Sequence, residues 1–349
     1  MTSPSPEVLL SEQGVLGRIT LNRPKALNSL TLGMIREMTR ALERWREDDR
    51  IRAVLVEGAG ERGLCAGGDI RAIHDAAKAG DDELTTHFWG EEYQLNAALA
   101  HYPKPVVGLM DGICMGGGVG ISAHGSHRVV TERSKVGMPE TGIGFAPDVG
   151  GTYLLSRAPG ELGTRMALTG TPVGAGDAIY CGLADHYVPS DRLELLATEL
   201  ASGEVDQVLA KFAEQPPEAP GAAEREWVDA AFSAETVEEV LRRLRGRPEE
   251  AAQEAADAID TKSPTSLKVT LRELRTRFDS LEQALDQEYR VSLSCVRVGD
   301  FVEGVRATLV DKDRDPKWSP SRLDEVGGEL VEAFFAPLGA GELGLSKGI

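Results

Sequence analysis

The chain has 349 residues, 41% hydrophobic and 27% charged, a soluble-globular composition with enough length for one large domain or two ordinary ones. Acids outnumber Lys and Arg by 56 to 38, a formal charge of −18, which argues against nucleic acid or an anionic membrane surface as main partner. No apolar run is long enough to span a bilayer.

The opening stretch MTSPSPEV (1–8) has neither a basic region nor an apolar segment, so it reads as a polar tail rather than a secretory signal. A cytoplasmic protein is the expectation. Short β-type runs follow at 15–21 (VLGRITL), 53–58 (AVLVEG), 105–110 (PVVGLM) and 127–130 (HRVV). Between them, 31–48 carries Met34, Ile35, Met38, Leu42 and Trp45 at spacings of three and four, which predicts a helix with one buried face. A second helix is expected over 85–100 (TTHFWGEEYQLNAALA). Strands alternating with helices predict βα units and a mixed or parallel sheet.

The character changes after about residue 190. QPPEAPGA (215–222) reads as a loop or linker, and Thr236 with Glu239 forms a T-x-x-E capping box that opens a helix. From there to 310 the pattern is almost wholly helical. Residues 191–260 hold 18 acids and 7 basic residues, so the charge excess sits on solvated helix faces. The expected division is an α/β core over 1–200 and a mainly helical region over 201–349.

Cys65, Cys114, Cys181 and Cys295 are widely spaced and form no metal pattern, which fits reduced thiols. His124 and His127 give HxxH without a third ligand nearby, so no metal is expected.

The segment VGMPETGIGFAPDVGG (136–151) places two acids, Glu140 and Asp148, among five glycines and two prolines. Such a run is a shaped loop, and two acids in one loop suit general acid–base or nucleophilic work. The plainer reading is a type I turn at Pro147–Asp148 with solvated acids. Two glycine loops add context. CAGGDI (65–70) follows a strand and leads into a helix that starts at or just after Asp69. GICMGGGVG (112–120) does the same around Gly116, Gly117 and Gly118. Backbone N–H groups left unpaired at such starts can converge on one oxygen and form an oxyanion hole. Gly118, Gly120 and Ala123 also fit a dinucleotide-type GxGxxA, but the following helix is short and no acid stands where ribose would need it. Cys65 has no histidine near it in sequence and reads as a small buried hydrophobe rather than a nucleophile.

These pieces, with ITLNRPKALNSL (19–30), resemble the enoyl-CoA hydratase/isomerase (crotonase) superfamily. GEEYQLN (90–96), D-V-G-G at 148–151, SPTSLKVTLR (263–272) and DFVEGVRATLVDKDRDPKW (300–318) resemble its thioester-hydrolysing branch, and the likeness covers nearly the whole chain. The resemblance implies an α/β fold, a crotonase-like spiral of ββα units with a helical C-terminal region. It implies hydrolysis of 3-hydroxyisobutyryl-CoA or a related 3-hydroxyacyl-CoA, as in valine catabolism. CoA belongs to the substrate and no separate cofactor is expected. Among its catalytic positions are Glu140 and Asp148, with the N–H groups of Ala66 and Gly117 as oxyanion donors. Substrate contacts would come from Glu92, Gly117, Glu140 and Asp148, with Gly67, Gly68 and Asp69 beside them. Arg23 or Lys25 would meet the CoA phosphates. A homo-oligomer, trimer or hexamer, is a further implication. Typical hydratases carry a glutamate three residues after the oxyanion glycine, where this chain has Gly120, so double-bond hydration is disfavoured. A hydratase/isomerase and a non-catalytic acyl-CoA binder are the alternatives.

Overall fold

The computed structural model describes residues 5–298 and 300–348; the first four residues of the polar N-terminal stretch lie outside the described residues. The chain folds into two compact units that interleave in sequence. The first comprises Met1–Gly68, Gln94–Val136 and Val173–Ala219, the second Asp69–Tyr93, Gly137–Pro172 and Pro220–Ile349. The expected boundary at residue 200 falls inside the first unit. Each unit is defined by contacts between segments distant in sequence, which no linear division captures.

In the first unit six strands form a sheet in the order β1 (Val8–Gln13), β2 (Leu16–Leu21), β3 (Ala53–Gly58), β5 (Val106–Met110), β7 (His127–Val130) and β9 (His186–Tyr187). β1 pairs antiparallel with β2, and every later pair is parallel. Parallel strands are covered on both faces, which is why Ala53–Val56 and all of β5 are buried. The Leu32–Arg46 helix buries Met34, Ile35, Met38, Leu42 and Trp45, the face its spacing predicts. The Thr31 side chain caps it by accepting the Met34 N–H. Trp45 packs so close to Gly17 of β2 that an added Cβ there would lie 2.6 Å from its ring. A separate cluster packs Leu196, Leu200, Val208 and Phe212 onto Leu16, Leu55, Val107, Leu109 and Val129. Each large side chain so buried contributes about 1.5–3 kcal/mol.

A second sheet holds the short strands β4 (Gly63–Cys65), β6 (Ile113–Met115) and β8 (Lys135–Gly137). Chain order then shows a repetition: β3 and β4 precede the Ile70–Ala79 helix, β5 and β6 precede the Gly117–Gly120 helix, and β7 and β8 precede the Glu140–Ile143 turn. That is the ββα pattern the resemblance implies.

The second unit is largely helical, and beyond residue 200 every named element is a helix or helical turn. Thr236 caps the Val237–Arg245 helix as its T-x-x-E box predicts, accepting from the Glu239 N–H at 3.2 Å. Trp89 stacks on Phe145 at 5.3 Å, and Phe301 stands 5.6 Å from Phe145, wedging the loop that carries the two acids.

Candidate active site

In the first unit, β4 and β6 run side by side in parallel with Cys65 opposite Cys114, so the glycine loops that follow them start next to each other. An added Cβ at Gly67 would stand 3.7 Å from the Gly117 nitrogen. At Gly118 it would stand 2.4 Å from the Cys65 carbonyl oxygen, a space only glycine fits. Asn28 pins this region by donating to the Ala59 and Gly63 carbonyls at 3.0 and 3.1 Å and accepting the Arg23 N–H at 2.9 Å.

The expected donor at Ala66 needs correction. Its N–H is already given to the Leu27 carbonyl at 3.0 Å, and the Gly67 N–H goes to Cys65 Sγ at 3.4 Å. The N–H groups of Gly68, Gly117 and Gly118 have no acceptor among the described residues. In the first loop, then, Gly68 rather than Ala66 has a donor to offer. Asp69 caps the Ile70–Ala79 helix, its side chain accepting from the Ala72 N–H, and Cys65 is fully buried.

Arg23 is also spent. Its guanidinium pairs with Glu7 at 3.1 Å and donates to the Ser29 carbonyl at 2.6 Å. Lys25 stays exposed in the Pro24–Ala26 turn and has no side-chain partner among the described residues. That turn is gripped from outside by Arg62, which donates to the Pro24 and Lys25 carbonyls.

In the second unit the acids gather. Glu140 begins the Glu140–Ile143 turn, which the Ser263 N–H holds through the Thr141 carbonyl at 3.2 Å. Ser263 also caps the Pro264–Leu274 helix and donates its hydroxyl to Asp300 at 2.6 Å, so the SPTSLK motif supports the turn that carries Glu140. Asp148 is buried and accepts the Tyr93 hydroxyl at 2.8 Å. Since that proton points to Asp148, Ser292 Oγ donates in its 2.6 Å contact with Tyr93 Oη. Val149, next in the chain, has φ 53, an outlier for a β-branched residue.

Glu92 and Glu140 are buried too, and Glu92 Oε1 and Glu140 Oε2 have no hydrogen-bond partner among the described residues. Burial, then the charge of Asp148, pushes both carboxyls well above the usual range. Burial, then repulsion from Glu288, raises Asp148 to about 8 against the opposing Tyr93 hydrogen bond. Burial raises Glu288 itself to about 7, while hydrogen bonds from Thr152 and Gly150 favour its charged form. The group is therefore a set of buried carboxyls held above their ordinary range, in which Glu92 Oε1 and Glu140 Oε2 remain open to a substrate.

Sequence reasoning missed Tyr93, Glu288, Ser292 and the buried Glu273. It also missed Asn96 of the first unit, fully buried with both amide atoms unpartnered among the described residues. Tyr93 and Asn96 at least lay inside the GEEYQLN motif; the others carry no local signal. Among the described residues no group of three or more His, Cys, Asp or Glu is arranged to hold a metal, and His127 of the HxxH pair binds Asp206 at 2.9 Å.

The chain belongs to the enoyl-CoA hydratase/isomerase family, whose sequence model matches residues 16–335. It is 43% identical over 356 aligned positions to the 3-hydroxyisobutyryl-CoA hydrolase, mitochondrial, of Gallus gallus, covering 99% of this chain and 92% of the relative. A carnitinyl-CoA dehydratase from Mycobacterium thermoresistibile superposes with TM-score 0.92 at 52% identity, covering 96% of this chain and 97% of that one. An enoyl-CoA hydratase from Rhodobacter sphaeroides 2.4.1 gives TM-score 0.92 at 40% identity, with 97% and 99% covered. The fold is the crotonase fold. The expectation of a cytoplasmic protein is corrected, because the curated relatives carry mitochondrial names, which points away from it. No described helix is long and apolar enough to cross a membrane.

Proposed function

We propose that the chain hydrolyses the thioester of 3-hydroxyisobutyryl-CoA, and of related short 3-hydroxyacyl-CoA esters, to the free hydroxy acid and CoA. The observation that carries this reading is Asp148: a buried carboxyl, raised to about 8 and aimed by Tyr93, in a chain whose position 120 is glycine. The curated relatives named as hydrolases support it across nearly the whole chain. The structural relatives are named for adding or removing water at a carbon–carbon bond. Gly120 weighs against that chemistry here, since it offers no side chain where typical hydratases carry the glutamate that works with the one at the Glu140 position.

The thioester oxygen accepts the N–H groups of Gly68 and Gly117, and the charge that develops on it is held there. One such donor is worth roughly 2.7–4 kcal/mol of barrier. Glu140, as the carboxylate, delivers the oxygen that displaces CoA: either that of a water it deprotonates, or its own, in which case a water then cleaves the acyl–Glu140 anhydride to release the hydroxy acid and restore the carboxylate. The C–S bond breaks, and Asp148 gives its proton to the departing sulfur. Tyr93 occupies Asp148 Oδ2, which leaves Oδ1 to carry that proton. Glu92 contacts the substrate hydroxyl through its unpartnered Oε1, and Lys25 meets the CoA phosphates. No cofactor beyond the substrate's own CoA is required.

A coupled assay tests the reading. Free thiol should appear from 3-hydroxyisobutyryl-CoA, and crotonyl-CoA should keep its enoyl absorbance. Loss of that absorbance without thiol release would make the chain a hydratase. Binding of both esters with turnover of neither would make it an acyl-CoA binder.

A further inference from the structure

Glu288 lies on the Leu281–Val298 helix, about 140 residues along the chain from the acid loop, and is 1% exposed. Its Oε2 accepts the Gly150 N–H at 2.6 Å, and its Oε1 accepts the Thr152 N–H at 2.9 Å and the Thr152 hydroxyl at 2.5 Å. One carboxylate thus holds three donors of the turn that immediately follows Asp148. The same turn contains the strained Val149, at φ 53, and Gly150, at φ 78. Strain of that kind persists only where the surroundings over-determine the backbone. Ser292, one helical turn beyond Glu288, supports Tyr93, whose hydroxyl holds the Asp148 carboxyl. A single helix face therefore fixes both the loop and the side chain.

We propose that Glu288 is a positioning residue for Asp148: it clamps the strained turn that carries the acid and so sets how that acid works.

This rests on the hydrolase reading above, in which Asp148 protonates the departing sulfur. The groups around the pair are all acids or weak acids. Glu140 comes from its 3-10 turn, Glu92 and Tyr93 from the Asp82–Ala100 helix, Glu273 from the Pro264–Leu274 helix and Cys295 from the Glu288 helix itself. Arg272 is the one cation acting on Glu273. Of these acids, Glu288 alone has three donors favouring its charged form, and burial raises its carboxyl only to about 7. Once charged, it opposes the ionisation of Asp148, which then holds its proton to about 8.

The test is the pH profile of kcat for thiol release. In the wild type the rate should fall as pH rises through about 8, where Asp148 loses its proton. Glu288→Gln removes the charge and sets an NH2 donor against an N–H donor. Its kcat should drop about 10–100-fold with KM within about threefold, and its alkaline limb should move to lower pH by about one pH unit. Glu288→Asp restores the charge and should return the limb toward the wild-type position. Thr152→Val guards against misfolding of the first variant. Losing one donor makes Glu288 harder to ionise, so this limb should also move to lower pH, by less. A folded Glu288→Gln with the wild-type limb, or an unmoved limb in Thr152→Val, overturns the inference. A wild type that releases no thiol sinks the hydrolase reading instead, and is seen before any variant is made.

Discussion

Asp148→Asn should make the protein more stable while disabling it. Asp148 is 6% exposed, and its carboxyl rises from an ordinary 3.8 to about 8 in the folded chain. A raised carboxyl is protonated when folded and ionised when unfolded over the interval between those values. Its contribution to stability is therefore complete below about 4 and is lost as pH climbs through about 8. At 1.36 kcal/mol per pH unit, ionisation of the unfolded chain costs the folded state about 4 kcal/mol at pH 7. The cost is about 2 kcal/mol at pH 5 and roughly 5–6 kcal/mol at pH 9. Asparagine does not ionise, and its Oδ1 can still accept the Tyr93 hydroxyl. It also brings an amide NH2 into a buried place, a penalty of about 1–3 kcal/mol. The net gain at pH 7 is about 2 kcal/mol, or roughly 3 °C in Tm for a chain of this length. Thermal unfolding followed by circular dichroism at pH 5, 7 and 9 measures it. The difference between variant and wild type should widen with pH, and thiol release should fall by about 10²–10⁴-fold. A difference that stays flat or narrows as pH rises would refute the electrostatic reasoning, whatever the activity does.

Glu140→Gln should cut kcat by about 10²–10⁴-fold with little change in KM, because it removes a group that acts on the reacting bond; steady-state kinetics checks this. Lys25→Ala should raise KM for the CoA ester about fivefold, the factor for about 1 kcal/mol of exposed charge attraction, and the effect should shrink at high salt. Arg23→Ala, by contrast, should lower Tm, since its guanidinium serves Glu7 and Ser29. Gly118→Ala drives a Cβ to 2.4 Å from the Cys65 carbonyl, and should cost about 1–3 kcal/mol in urea unfolding together with most of the activity.

Much of the scaffold was legible because its signals are local. The buried stripe of the Leu32–Arg46 helix, the apolar runs of β2, β3, β5 and β7, and the Thr236 cap each lie within one element. β4, β6 and β8 have three residues apiece, too few for a period to show, and they read only as the glycine loops they feed. Those loops were legible as loops, but glycine content does not tell which N–H is already spent. Only the Leu27 carbonyl reveals that Ala66 is. Glu140 and Asp148 stood out because glycine and proline surround them. Glu288 and Glu273 sit in helical sequence that looks like any solvated face, and their meaning comes from partners far away in the chain. Arg23 shows the converse: a cation in a recognised motif says nothing about the partners that hold it, here Glu7 and the Ser29 carbonyl.

The central claim is that water enters at the thioester carbonyl rather than at a carbon–carbon bond. Turnover of 3-hydroxyisobutyryl-CoA in oxygen-18 water, with mass spectrometry of the products, tests it in one measurement. Hydrolysis predicts free CoA and label in the carboxylate of the released hydroxy acid. Label on the β-carbon hydroxyl of an acyl group still joined to CoA would contradict it.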